Sequence, residues 1–96
     1  MAKAYWIACY REIRDQDKLA AYAKIAAPAI VAGGGKMLAL GPAGFVFEAG
    51  VKELTVLIEF PDMESALATH ASPAYRQALA EIGDSAVRDL RFIEGI

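Results

Sequence analysis

Residues Lys3 to Arg11 read K-A-Y-W-I-A-C-Y-R, and both alternating sets within them are apolar: Tyr5, Ile7 and Cys9 on one face, Trp6, Ala8 and Tyr10 on the other. Successive side chains of a strand point to opposite faces, so a strand of this composition has to be covered on both sides. A chain of 96 residues has material for one domain, spanning 1–96, and a domain of that size buries only about two thirds of the surface its unfolded chain exposes. One layer of helices covers one face of a sheet. The other face needs a different cover, and 56% apolar residues in so small a chain point to apolar surface that meets a partner.

The remaining elements follow from caps and periodicity. Asp15 can accept the first free amides of a helix, with Asp17 adding charge near the positive end of its dipole, and Leu19, Tyr22, Ala26 and Ala29 follow at helical spacing. Pro28 lacks an amide and disfavours helical geometry at Ala27, which predicts a kink or a fresh turn over Ala29 to Ala32. Gly33-Gly34-Gly35 then ends the helix. A phosphate cradle would instead open a helix after a strand.

Lys36 to Leu40 reads as a short strand, Gly41 to Gly44 as a turn, Phe45 to Glu48 as a second extended piece and Ala49-Gly50 as another turn. Val51 to Phe60 alternates most regularly, with Leu54, Val56, Ile58 and Phe60 on one face and Thr55, Leu57 and Glu59 on the other. Asp62 is placed to cap a helix whose stripe is Met63, Ala66, Leu67 and His70. Ser72 caps a second one that begins at Pro73, carries Tyr75, Leu79 and Ile82 inward and stops at Gly83. Ala86 to Glu94 alternates again, with Leu90 and Phe92 inward and Asp89 and Arg91 opposite.

This order is βαββαβ, the ferredoxin-like α+β arrangement of helices on one face of an antiparallel sheet. Its bare face is too apolar to remain in water, and two such faces against one another would solve this. The expected partner is therefore a second copy of the chain, joined through the open sheet face.

Composition excludes several classes of function. The longest apolar stretch, Ile25 to Gly35, is too short for a bilayer span and rich in alanine and glycine, so no membrane is expected. The N-terminal residues read as a strand and not as a signal peptide. Ten basic and twelve acidic residues, for a net charge of −2, form no basic stripe, which argues against nucleic acid. The single cysteine, Cys9, fits a reducing cytoplasm and rules out an internal disulfide framework. One Cys and one His are too few soft ligands for zinc, and neither a metal nor a cofactor is expected.

Several stretches carry a family likeness: Tyr5-Trp6-Ile7, Gly34-Gly35-Lys36, Ile58-Glu59-Phe60-Pro61, Ala66 and Ala68, Ser72-Pro73-Ala74-Tyr75, and Glu94-Gly95. On these the chain resembles the dimeric α+β barrel superfamily and, within it, the domain-of-unknown-function family thirteen-thirty. The resemblance implies a homodimer whose sheets form a barrel, with a small cavity in each subunit between helices and sheet. The wider superfamily includes cofactor-independent oxygenases, lactone isomerases and haem-using enzymes, while this branch has no established reaction. The chain departs from the pattern at Ala74, where an acid is usual, at His70, where an aromatic residue is common, and around Leu40-Gly41-Pro42, where a basic residue is often found.

His70 is the candidate for catalysis, since imidazole can donate or accept a proton near neutrality without a cofactor; the alternative is a packed histidine at a helix end. Tyr5, Tyr22 and Tyr75 are the candidate ligand-binding residues, each with an apolar ring and a polar tip, and Trp6 and Tyr10 could join them; ordinary packing is the alternative for each. Glu59 could serve as a base if desolvated, or join Asp89 and Arg91 as interface charges. Cys9 reads as buried structure. Two functions fit: a cofactor-independent enzyme performing proton transfer or oxygenation on a small, partly apolar organic molecule, or a non-catalytic homodimer that binds small molecules or serves in stress.

Overall fold

A computed structural model describes residues 2–96. The chain runs β1 (Ala4–Ile13), α1 (Gln16–Ala32), β2 (Lys36–Pro42), β3 (Leu54–Phe60), α2 (Met63–Ala71), α3 (Pro73–Ile82) and β4 (Ala86–Glu94). The strands form one sheet in the order β2-β3-β1-β4, and every neighbouring pair is antiparallel. This is the ferredoxin-like βαββαβ topology, with its second crossover divided between α2 and α3. β1 is central, as its double-sided apolar pattern requires.

Register turns that pattern into a core. Trp6 stands opposite Ile58 on one side and Phe92 on the other, and its ring centroid lies 5.8 Å from that of Phe60 and 4.8 Å from that of Phe92. Trp6, Tyr75, Phe60 and Ile58 are the largest fully buried side chains, each contributing about 1.5–3 kcal/mol by removal from water. The helices are pinned by the residues that announce them. Asp15 Oδ1 accepts from the amides of Asp17 and Lys18, and Asp62 Oδ1 from that of Ser65 at 2.7 Å. Ser72 Oγ accepts from the Tyr75 amide and donates to the Thr69 carbonyl, fastening the corner between α2 and α3 from both sides.

Four expectations need correction. First, α1 continues through Pro28 without a break. The pyrrolidine ring is exposed while Ala26, Ala29 and Ile30 are buried around it, and the final turn is held by the Gly33 amide on the Ala29 carbonyl and the Gly35 amide on that of Ile30, so burial of the flanking face outweighs the lost hydrogen bond. Second, Phe45 to Glu48 is not extended sheet. β2 absorbs Gly41 and Pro42, β3 begins only at Leu54, and the loop between them curls through a turn at Phe47 to Gly50 that leaves Phe45 and Phe47 exposed. Third, Leu67 faces outward at 55% exposure, and its expected inward place is taken by Thr69 at 3%. Thr69 lies against α1 where Gly33 has no side chain, for a Cβ there would come within 1.7 Å of Thr69 Oγ1. Fourth, Cys9 is exposed in the single chain, because it belongs to the sheet face that the helices do not reach.

The principal extents of 36 × 31 × 16 Å are those of a two-layer slab. Its uncovered face carries Tyr5, Ile7 and Cys9 from β1, Thr55, Leu57 and Glu59 opposite them on β3, and Ile93, Arg91 and Asp89 opposite them on β4. The polar members are tied together: Tyr5 Oη donates to Glu59 at 3.1 Å, Lys3 Nζ lies 3.3 Å from Glu59, and Arg91 grips Asp89 through two N–H groups at 3.0 Å each.

Candidate functional site

Between α1 and the inner face of the sheet lies a cavity of about 140 Å³. It exists because the residues that meet there are small: Ala23, Ala26 and Ala27 on α1 face Ala8 on β1. Trp6, Val56 and Ile58 form the floor, and Leu19, Ile30, Met37, Leu40 and Leu54 complete an apolar wall. Met37 and Leu40 are 42% and 64% exposed, so the cavity borders solvent along the edge strand β2.

The polar end is built from Tyr10, Tyr22 and Arg88. Arg88 stands opposite Tyr10 in the β1–β4 ladder and shares the inward parity of Leu90 and Phe92. Its Nη1 donates to Tyr22 Oη at 3.0 Å and, at 3.4 Å, to Tyr10 Oη; its Nη2 donates to Tyr75 Oη at 2.9 Å. The guanidinium carbon also lies 5.0 Å from the centre of the Tyr22 ring and 5.7 Å from that of Tyr10, within cation–π range. Among the described residues, the salt bridges involve Lys3, Arg11, Arg14 and Arg91, and none reaches Arg88.

Burial pushes the Tyr22 phenol well above its ordinary range against the opposing pull of Arg88, with Tyr75 adding to the rise. Tyr10 is raised too, again chiefly by burial. For Arg88, burial acts to lower the pKa, but the tyrosine oxygens around it outweigh burial and the net shift is upward. At neutral pH the site is therefore one guanidinium cation among protonated phenols.

The sequence candidates are divided by the fold. Tyr22 and Tyr75 come together, hydroxyl oxygens 2.7 Å apart and rings 6.0 Å apart in an edge-to-face pair. Tyr22 lines the cavity, and Tyr75 is fully buried beside it. Tyr5 lies across the sheet with Glu59, so it cannot share a ligand with the other two inside one chain. His70 packs its ring against Tyr75 at 5.3 Å, Trp6 at 5.8 Å and Phe92 at 5.9 Å, next to the cavity walls but not among them. Burial, then the charges of Arg76 and Arg88, lower its pKa below the usual imidazole value, so it is neutral at pH 7. Arg88 is the residue that sequence reasoning missed. The available signal was its parity, two positions before Leu90 and four before Phe92 on the face that points inward.

Among the described residues, no group of three or more His, Cys, Asp or Glu side chains could hold a metal ion, and no helix is long and apolar enough to cross a membrane.

Residues 3–96 match the family model of the domain of unknown function (DUF1330). The chain belongs to this family. No curated protein matches it. Among solved structures, the DUF1330 chain is similar to a protein of unknown function from Rhodopseudomonas palustris, with a TM-score of 0.78, 16% identity and coverage of 99% of this chain and 83% of that one. A dimeric ferredoxin-like protein of unknown function from Thermobifida fusca YX superposes at a TM-score of 0.67 with 18% identity, covering 98% and 92%. SnoaB, a cofactor-independent oxygenase from Streptomyces nogalater, does so at 0.64 with 9% identity, covering 100% and 95%. At these identities the likeness is one of fold, and the family has no assigned reaction.

Proposed function

We propose that this DUF1330 protein takes up a small, mostly apolar organic molecule in the cavity between α1 and the sheet, and that it does so as a homodimer joined through the open sheet face. The observation that carries the reading is the cavity itself, a space of about 140 Å³ lined by apolar side chains with one cluster of polar groups at an end, the common form of a small-molecule site. Packed cores leave few voids larger than a water molecule, and this one is bordered by the small buried residues Ala8 and Ala26. Screening by thermal shift with compounds the size of benzene and toluene tests the uptake: a ligand of this cavity raises the unfolding temperature of the wild type and loses that effect in Ala26→Leu, whose added methyl groups occupy the space. No stabilisation by any compound of that size would refute it.

The homodimer rests on the apolar residues Ile7, Leu57 and Ile93 on a sheet face that no helix covers, and the T. fusca structure described as dimeric has the same fold. Sedimentation at micromolar concentration is expected to return twice the 10.3 kDa chain mass, and Ile7→Lys to return the single chain. A folded wild-type monomer would remove the dimer.

A second reading makes the site catalytic without a cofactor, by proton transfer on the bound molecule. It is favoured by the neutral imidazole of His70 beside Tyr75, whose hydroxyl meets that of Tyr22 at the cavity, and by the oxygenase activity named for a protein of the same fold. Turnover of lactones, quinols and phenols by wild type and His70→Ala is the test, and equal rates would remove His70 from any mechanism.

A further inference from the structure

From the hydrogen-bond inventory around Arg88 we infer that the ligand of this cavity is a small organic anion, a monocarboxylate with an apolar body, bound by Arg88 with the hydroxyls of Tyr10 and Tyr22. The inference rests on the small-molecule reading of the cavity and names its ligand class. A guanidinium has five N–H donors and no acceptor. Three bonds to tyrosine oxygens are made, which leaves two donors over. Each of the three tyrosine oxygens already accepts from Arg88, and the Tyr22–Tyr75 contact consumes one hydroxyl proton. Two hydroxyl protons remain without a protein acceptor in the cluster.

The polar end of the cavity is thus a set of donors around a whole positive charge, with no carboxylate among the described residues to neutralise it. A cation is repelled there. A purely apolar ligand would displace water from the half-buried guanidinium and offer its two remaining donors nothing in return. A carboxylate answers both needs: it supplies acceptors for the unused donors, matches the planar fork of arginine, and balances the charge in a low-dielectric setting where the attraction is strong. The rest of the cavity fixes the body of the ligand as apolar. A volume of about 140 Å³ is near that of an engineered apolar cavity that holds benzene, which sets the body at about four to seven carbons. Were Arg88 only a tie between β4 and the tyrosines of α1 and α3, the site would not tell an acid from its amide.

Isothermal titration of the wild-type protein at low ionic strength with butyrate, isovalerate and benzoate, each against its own amide, and with toluene, decides the matter. At least one carboxylate is expected to bind tenfold or more tightly than its amide, Arg88→Gln to bring the two within threefold of each other, and Arg88→Lys to keep part of the preference. An amide or toluene that binds as well as the carboxylate in the wild type would overturn the anion while leaving the small-molecule reading intact. Failure of acids, amides and toluene alike would overturn both. Should Arg88→Gln fail to fold, the acid-to-amide ratio of the wild type is decisive alone.

Discussion

Replacing Tyr75 by Phe removes one oxygen from the centre of the buried polar cluster and changes no apolar packing, so it isolates the energy of that cluster. Tyr75 is fully buried, and its hydroxyl accepts from Arg88 Nη2 at 2.9 Å and meets Tyr22 Oη at 2.7 Å. A hydrogen bond from a charged donor contributes about 1.5–3 kcal/mol and a neutral one about 1 kcal/mol. The same ring fits the same space, so no cavity term is added. Tyr75→Phe should therefore cost about 2–4 kcal/mol, of which leaving an Nη2 donor unpaired is the larger part. For a chain of 96 residues, where total stability runs at about 0.05–0.15 kcal/mol per residue, that is a large share of the whole. The assay is urea unfolding at fixed protomer concentration, followed by tryptophan fluorescence, with the slope compared between proteins to check that the unfolded state is unchanged. The melting temperature should fall by roughly 10–25 °C. A Tyr75→Phe protein within about 0.5 kcal/mol of wild type would refute the claim that the cluster is tightly coupled.

Three further outcomes are expected. His70 has its pKa lowered from 6.5 by burial and by Arg76 and Arg88, so between its folded and unfolded pKa values the unfolded chain binds more protons; its contribution is complete above about pH 6.5 and is lost as the pH falls below that value. His70→Phe should flatten that part of the stability profile between pH 7.5 and 5.5, and an unchanged profile would disprove it. Gly33→Ala drives a methyl group to within 1.7 Å of Thr69 Oγ1 and should destabilise by about 1–3 kcal/mol. Adding Thr69→Ala should recover part of the loss, and strict additivity in a double-mutant cycle would show that the two do not touch. Cys9 is exposed in the single chain on the face proposed for the dimer, so its thiol should react with a disulfide reagent at least tenfold more slowly in the wild type than in Ile7→Lys, and equal rates would contradict burial of that face.

Nearly all of the fold was legible where one local rule acted alone. Asp15, Asp62 and Ser72 announce three helix starts through their own side-chain chemistry, and the alternation from Leu54 to Phe60 and from Ala86 to Glu94 reads directly as two strands. Reading failed where tertiary contact overruled the local rule. Pro28 is tolerated because burial of the face around it keeps α1 one continuous helix. Leu67 yields to Thr69 because Gly33 on a distant helix makes room for a hydroxyl, which no spacing within α2 reveals. The site was half visible: Tyr22 and Tyr75 could be named as ring-and-hydroxyl residues, but only the β1–β4 register brings Arg88 beneath them. A charged residue in an alternating strand reads as solvent-facing unless its parity is weighed above its charge.

The ladder between β2 and β3 slips between Met37 and Ala39, leaving Leu38 as an extra residue, and β2 is an outermost strand that ends at Pro42. A foreign strand approaching that margin finds a row of amides and carbonyls that bends away partway along and lacks a donor at its last position. Open-ended stacking of copy on copy, the route to fibres, is frustrated there even though Met37, Leu38 and Leu40 are exposed. The homodimer proposed above uses the broad surface instead, where a twofold arrangement would satisfy both members and admit no third.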